Sequence, residues 1–270
     1  MHMGVNLNVS FIGYGKIAQA LIKGLLPYQH YHIQAAAPSL KTDIHESRIK
    51  TTSDNLAVLK NADVIILAIK PTIMATILTE IQSFIPDHCL LISVATGLNL
   101  NWYAAHIPAN TALVRAMPNI AASVGKSATP LLANEHVTDH HRYLTMKLFN
   151  DIGISTWIQR ESDMDTFTAL SGSGPAYVFQ FIQSMIDAAS NFGLEENIAT
   201  SFALETFFGA VTLAMENKQS LKQLTDQVTS KGGTTAAALA IFHEKHLAEI
   251  IAAAMNAARN RAKELNLSIL

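Results

Sequence analysis

The chain of 270 residues has a single cysteine, Cys89, so it can form no internal disulfide. The surrounding run CLLISVA makes Cys89 a small buried hydrophobe of a strand. An excess of charge of either sign is also missing. Nineteen Lys plus Arg face 21 Asp plus Glu for a formal net charge of −2, which excludes a general attraction to nucleic acid or to an anionic membrane. Any anion must therefore be held by a local set of donors. No stretch reads as the ~18 consecutive apolar residues of a membrane span, and the start MHMGVNLN lacks the charged region, long apolar core and cleavage site expected of a signal peptide. The expectation is a cytoplasmic protein with no nucleic-acid or membrane partner. What is abundant is apolar residue, 49% against 15% charged, enough for one large globular domain or two ordinary ones.

From residue 8 to about 158, short β-branched runs alternate with helical patterns. The runs are NVSFIG (8–13), HIQAAA (32–37), DVIILAI (63–69), CLLISVA (89–95), ALVRAM (112–117) and ISTWIQ (154–159). Several lack polar alternation, as expected of strands covered on both faces of a parallel sheet. Ile17, Ala18, Leu21, Ile22 and Leu25 mark one face of a helix. The pattern predicts a doubly wound, mainly parallel α/β domain over 1–160. Beyond it the strand signal ends, and 161–270 reads as an all-α domain of helices separated by NFG, ENKQS and SKGG. Alanines at close spacing, such as Ala252, Ala253, Ala254, Ala257 and Ala258, suit close helix approach in a core or across a subunit interface.

The stretch NVSFIGYGKIAQALIKGL places Gly13, Tyr14, Gly15, Lys16, Ile17 and Ala18 between a strand and a helix. Gly13 permits the turn, Gly15 lets a pyrophosphate approach the backbone, and small Ala18 lets the helix pack on the strand. The helix N-terminus faces the phosphates. A nicotinamide dinucleotide is the expected cofactor. No acidic residue follows the second strand before Asp43, whereas AAAPSLKT offers Ser39 and Lys41, a hydroxyl and a cation suited to a 2′-phosphate, so the reading favours NADPH over NADH. Ala68, Lys70 and Pro71 of LAIKP stand at a strand's C-terminal end, where open α/β sheets bind ligands.

Two further glycine stretches lie in the helical half. LSGSGPAYVF (170–179) precedes a broad apolar face of Tyr177, Val178, Phe179, Phe181, Ile182, Met185 and Ile186. Pro175 fits the first helical turn and Ser173 could cap it, while the lack of a GK[ST] ending excludes a triphosphate loop. In TSKGGTTAAALAIFH, the backbone N–H groups of Gly232, Gly233 and Thr234 can hold a carboxylate, with a threonine hydroxyl nearby.

Through FIGYGKIAQALIKGL, LAIKP, RAMPN, ALSGSGPAYVF and VTSKGGTTAAAL, the chain resembles the pyrroline-5-carboxylate reductases over essentially its whole length. The resemblance implies an N-terminal Rossmann domain and a helical domain that builds a homodimer, often assembled into rings. It implies reduction of 1-pyrroline-5-carboxylate to L-proline by hydride transfer from NADPH, the last step of proline biosynthesis. It further implies that Ser230, Gly232, Gly233 and Thr234 cradle the substrate carboxylate. Thr235 would set its hydroxyl near the ring nitrogen as the catalytic residue, and Met117, Pro118 and Asn119 would line the pocket near the nicotinamide. SGSGPAYVF would then open a long helix of the dimerisation domain, shaping the substrate side of the cleft, and would not be a second nucleotide site.

Two departures stand out: Lys231 where the family usually has proline, and Ile120–Ala121 after RAMPN where it usually has Thr-Pro. Two alternatives remain at this point, another NADP-dependent imine or hydroxyacid oxidoreductase, and a non-catalytic NADP-binding regulatory protein. No metal is assigned. His243 and His246 of HEKH are three apart, within reach on one helical face, but no third ligand accompanies them, and His140 and His141 read as solvated.

Overall fold

The computed structural model describes residues 6–44 and 49–267, so the MHM start lies outside the described residues. By its internal contacts the chain divides into two compact units. One runs up to Pro175 and takes in the residues from Ala257 onward; the other is Ala176–Asn256.

The first unit is built on one sheet. Its strands are β1 (Leu7–Ile12), β2 (Tyr31–Ala36), β3 (Asp43–Ile44), β4 (Ile49–Thr52), β5 (Val64–Leu67), β6 (Leu90–Ser93), β7 (Leu113–Ala116), β8 (Ser127–Ala133) and β9 (Gly153–Trp157). The order is β3-β4-β2-β1-β5-β6-β7-β8-β9. All pairings are parallel except β3 with β4 and β7 with β8. The chain reverses its direction of travel across the sheet between β1 and β5, and ligands of open α/β sheets bind at such a switch point.

Side chains alternate between the two faces with period two. Val9, Phe11, Val64, Ile66, Leu90 and Ile92 enter one core, with Leu21 and Leu25 of α1 (Lys16–Leu25). Ile12, Ile65, Leu67 and Leu91 enter the other, with Met74 and Leu78 of α2 (Pro71–Ile81) and Trp102 of α3 (Leu100–Ala104). Each fully buried side chain of this kind contributes ~1.5–3 kcal/mol of transfer free energy. Cys89, immediately before β6, is buried, and burial pushes its thiol up to about 12, which keeps it protonated and inert.

The sequence does not announce β8, the two-residue β3 or β4. The segment SATPLLA carries a proline and too short an apolar run to read as a strand, yet β8 supplies the Pro130 carbonyl that accepts from the Met117 N–H at 3.2 Å. His141 is also not the solvated residue its position suggests. Partly buried on α4 (Asp139–Asp151), it shares a capping box with Thr138, accepting the Thr138 N–H on Nδ1 at 3.3 Å.

After α5 (Glu161–Phe167) comes a π-helical turn, Thr168–Gly172, before α6 (Gly174–Asn191). The helix expected at SGSGPAYVF is therefore preceded by a turn of wider bore, closed by the Ser173 N–H donating to the Thr168 carbonyl at 2.8 Å.

The second unit holds most of α6, all of α7 (Glu196–Glu216), α8 (Leu221–Gln227) and α9 (Thr234–Glu244), and the first part of α10 (Leu247–Leu267). Its buried apolar cluster consists of Ile182, Ile186, Ala199 and Ala203. Of the apolar face expected on α6, only Ile182 and Ile186 are buried; Phe179, Val178 and Met185 are exposed. On α7, Phe202 is 71% and Phe208 68% exposed. Among the described residues, α7 is long and apolar enough to cross a membrane, which corrects the expectation that no such stretch exists. Its apolar residues are interspersed with Thr, Ser and Glu, so it escapes a search for an unbroken run. His243 lies in the last turn of α9, while His246 has φ +54° in the break before α10, so the two do not share a helical face.

Candidate functional site

At the switch point, Gly13 follows β1 with φ +99°, a conformation that favours glycine. An added Cβ would overlap the Ala68 carbonyl, so the residue lets the ends of β1 and β5 close together. Gly13 donates its N–H to Ala36 O at 2.7 Å, and Ala68 donates to Ile12 O at 2.8 Å. Gly15 has a different reason to be glycine. Its φ is −74°, and a Cβ would meet nothing within 4 Å, so no protein atom demands its smallness. A cradle that a Cβ would fill suits a close-approaching pyrophosphate.

Gly15 is also the N-cap of α1, which has no acidic residue in its first turn and whose leading N–H groups lack intrahelical acceptors. Tyr14 and Ile17 are half-buried, Lys16 is exposed, and Ala18 is buried against the sheet. The Gln19 amide donates to Tyr14 O at 2.9 Å and secures the loop. These residues fit a dinucleotide.

Ser39 and Lys41 stand exposed in the turn after β2, closed by the Leu40 N–H donating to Ala37 O at 2.9 Å. The Lys41 carbonyl accepts from Thr51 Oγ1 at 2.9 Å, which anchors its backbone and leaves the ammonium in solvent. Lys70 caps α2 and Pro71 occupies the first turn, where its missing N–H has no helical role. Thus Gly13 to Ala18, Ser39, Lys41, Ala68, Lys70 and Pro71 all gather at the C-terminal edge of β1, β2 and β5.

Met117, Pro118 and Asn119 lie at the same edge, after β7, and all three are buried. Met117 accepts a contact from Thr96 Oγ1 at 3.7 Å on its sulfur. Asn119 is bonded at each polar group. Its N–H donates to Ser127 Oγ at 3.1 Å, its Oδ1 accepts from Ala121 N at 3.0 Å, and its Nδ2 donates to Ser171 O at 2.9 Å. Behind the loop, buried Arg115 pairs with Glu161, whose second oxygen accepts the Leu100 N–H at 3.0 Å. Burial pushes the guanidinium down to about 10, an effect that electrostatic interaction with Tyr103 and Asp165 partly opposes, so it remains a cation at neutral pH. Neither Arg115 nor Glu161 was singled out from sequence; the Arg of RAMPN, charged inside an apolar strand, was the available signal.

In the second unit, Ser230 to Gly233 form a tight turn, the Gly233 N–H donating to Ser230 O at 3.0 Å. Gly232 has φ +72°, the third-position conformation of a type II turn. A Cβ on Gly233 would overlap Ser230 Oγ. The turn feeds α9 directly, with Gly233 as N-cap, no side-chain cap and no acid in the first turn. The N–H groups of Thr234, Thr235 and Ala236 therefore have no intrahelical acceptor. Ser230 and Thr235 hydroxyls make no hydrogen bond among the described residues, and Lys231, in the turn's second position, is exposed. Such an arrangement offers N–H groups, hydroxyls and a cation to a small carboxylate.

Residues 161–265 match the family model described as pyrroline-5-carboxylate reductase dimerisation, and residues 8–97 match NADP oxidoreductase, coenzyme F420-dependent. The chain is 35% identical over 263 residues to a pyrroline-5-carboxylate reductase of Vibrio alginolyticus, with 95% of this chain and 97% of the relative covered. Among solved structures, the pyrroline carboxylate reductase of Plasmodium falciparum with NADP bound is 30% identical, with a TM-score of 0.89 over 97% of this chain and 99% of that one. That of Coxiella burnetii is 33% identical, with a TM-score of 0.87 over 96% and 98%.

Proposed function

The chain belongs to the pyrroline-5-carboxylate reductase family, and on that premise we propose how its residues divide the NADPH-dependent reduction of 1-pyrroline-5-carboxylate to L-proline. NADPH supplies the hydride when bound. Gly13 to Ala18 hold its pyrophosphate with the N-terminus of α1, Ser39 and Lys41 hold the 2′-phosphate, and Ala68, Lys70 and Pro71 flank the dinucleotide beyond β5. Met117, Pro118 and Asn119 wall the pocket beside the nicotinamide. Because a protonated imine is already electrophilic, the protein has to orient and shield the reacting groups and needs no Lewis acid of its own.

Ser230, Gly232, Gly233 and Thr234 bind the carboxylate, and Thr235 hydrogen-bonds the ring nitrogen as it becomes an amine. The observation that carries this reading is the Ser230–Gly233 turn, which delivers N–H groups without intrahelical acceptors and a Thr235 hydroxyl unbonded among the described residues at the start of α9. The dinucleotide domain covers 1–160 and the substrate and dimerisation domain 161–270, a division supported by the matches at 8–97 and 161–265.

The working form is a homodimer or a ring of dimers in the cytoplasm. Phe202, Phe208 and Met215 of α7 are exposed in a single chain beside a core too small to hold the helices, a condition that a partner subunit relieves. A second copy also accounts for the apolar character of α7 without a membrane.

The test is to follow NADPH absorbance with 1-pyrroline-5-carboxylate, with NADH in parallel. Imine-dependent oxidation preferring NADPH supports the assignment; tight NADPH binding without turnover overturns it in favour of a cofactor-binding sensor.

A further inference from the structure

Resting on that functional reading, we infer that Asn119 is a positioning residue whose side-chain amide replaces the backbone donor missing at Pro175, and so holds the Met117–Pro118 wall against the turn before α6. In a regular α-helix the Ser171 carbonyl would accept from the N–H of residue 175. That residue is proline and has no N–H. The π-helical turn does not cure the deficit, since its i→i+5 bond, Ser173 N–H to Thr168 O at 2.8 Å, serves a different carbonyl. Asn119 Nδ2 reaches the Ser171 oxygen at 2.9 Å, from 52 residues away in the chain.

The rest of Asn119 is fixed by its other bonds. Oδ1 caps the short helical turn Ile120–Val124 through Ala121 N, and the N–H is held by Ser127 Oγ on β8. Asn119 is only 8% exposed, so water has little access to stand in for it. The bond thus ties the end of β7 to the π-helical turn, where Met117 Cγ lies 3.6 Å from the place a Cβ would occupy on Gly172. A Met117 wall set by this strut has one position relative to the end of its sheet; without it, Ser171 and the loop can separate.

The experiment is a double-mutant cycle between Asn119 and Pro175, read by kcat, imine KM and the dissociation constant of NADPH. Asn119→Ala is expected to lower kcat about tenfold or more while NADPH affinity stays within about twofold. Pro175→Ala returns an N–H to Ser171 O, and Asn119→Ala/Pro175→Ala recovers most of the lost kcat, which loss of the Ala121 cap alone could not produce. Asn119→Asp keeps the cap acceptor but opposes the Ser171 carbonyl with oxygen, and is as slow as Asn119→Ala. Native kcat in Asn119→Ala or Asn119→Asp, or no recovery in the double variant, overturns the inference. If the unaltered chain itself shows no imine-dependent turnover, the functional reading beneath it fails as well. Should Asn119→Ala not fold, the comparison of Asn119→Asp with the double variant decides.

Discussion

Gly13 and Ala68 touch across the switch point of the sheet, so closely that a Cβ on Gly13 would overlap the Ala68 carbonyl. Gly15, two residues on, faces open space. Gly13→Ala is therefore expected to cost about 2–4 kcal/mol of stability, from the positive φ and the overlap together. Gly15→Ala should leave the thermal midpoint nearly unchanged and weaken NADPH binding. Calorimetry with a binding titration separates the two glycines; equal destabilisation by both would remove Gly15 from the ligand's path.

Lys41→Asp places an anion where the 2′-phosphate is proposed to sit. The NADPH KM should rise on the order of tenfold or more, as expected for a lost charge-assisted contact, with a much smaller change for NADH. Parallel changes in both constants would exclude Lys41 from phosphate recognition.

Thr235→Ala removes the hydroxyl proposed to meet the ring nitrogen. Turnover should fall on the order of 10- to 100-fold, the scale of one oriented donor, while NADPH affinity is retained. Steady-state kinetics beside a fluorescence titration reads both, and unchanged kcat would remove Thr235 from the reacting centre.

Lys231 occupies the second position of a type II turn, where proline is favoured, and its N–H donates no backbone hydrogen bond among the described residues. Lys231→Pro should stabilise the fold by ~0.4–1 kcal/mol by restricting the unfolded chain. It should also raise the imine KM and flatten its dependence on ionic strength, because the only cation of the turn is gone. A stabilised variant with unchanged salt dependence would show that the charge plays no part in carboxylate capture.

His141 accepts the Thr138 N–H on Nδ1 and must be neutral to do so. Burial, the largest cause, lowers its pKa in the folded chain, with like charge on His140 acting the same way. The unfolded chain therefore binds this proton at higher pH than the folded chain does. The stability His141 contributes is present above its ordinary value near ~6.5 and is lost as pH falls through the lower folded value. Replacing it by Gln keeps the capping box without titration. Thermal midpoints across mildly acidic pH should fall more for the native chain than for His141→Gln; identical slopes would dismiss the effect.

The dinucleotide turn was legible because its requirements are local. A strand, two glycines, a small residue and a helix lie within one short stretch, and each is demanded by backbone conformation or close packing. The turn at Ser230 was legible for the same reason, and so was the lack of an acid after β2. By contrast, β8 was not visible, because a strand containing Pro130 is defined by the neighbours it pairs with. Nor was the π-helical turn, whose extra residue matters only once Asn119 has reached Ser171.

From sequence alone came the alternation of the sheet, the shift to helices after residue 160 and the glycine cradles, all consequences of short-range sterics and hydrophobic period. Only the tertiary structure decided what the polar side chains of the core do. Asn119, read from sequence as a pocket residue, also bonds to Ala121 and Ser171, while Arg115 read as part of a motif and is a buried cation held by Glu161. The physical reason is that a buried polar group must find its partner wherever the fold brings one, and that partner is seldom nearby in the chain.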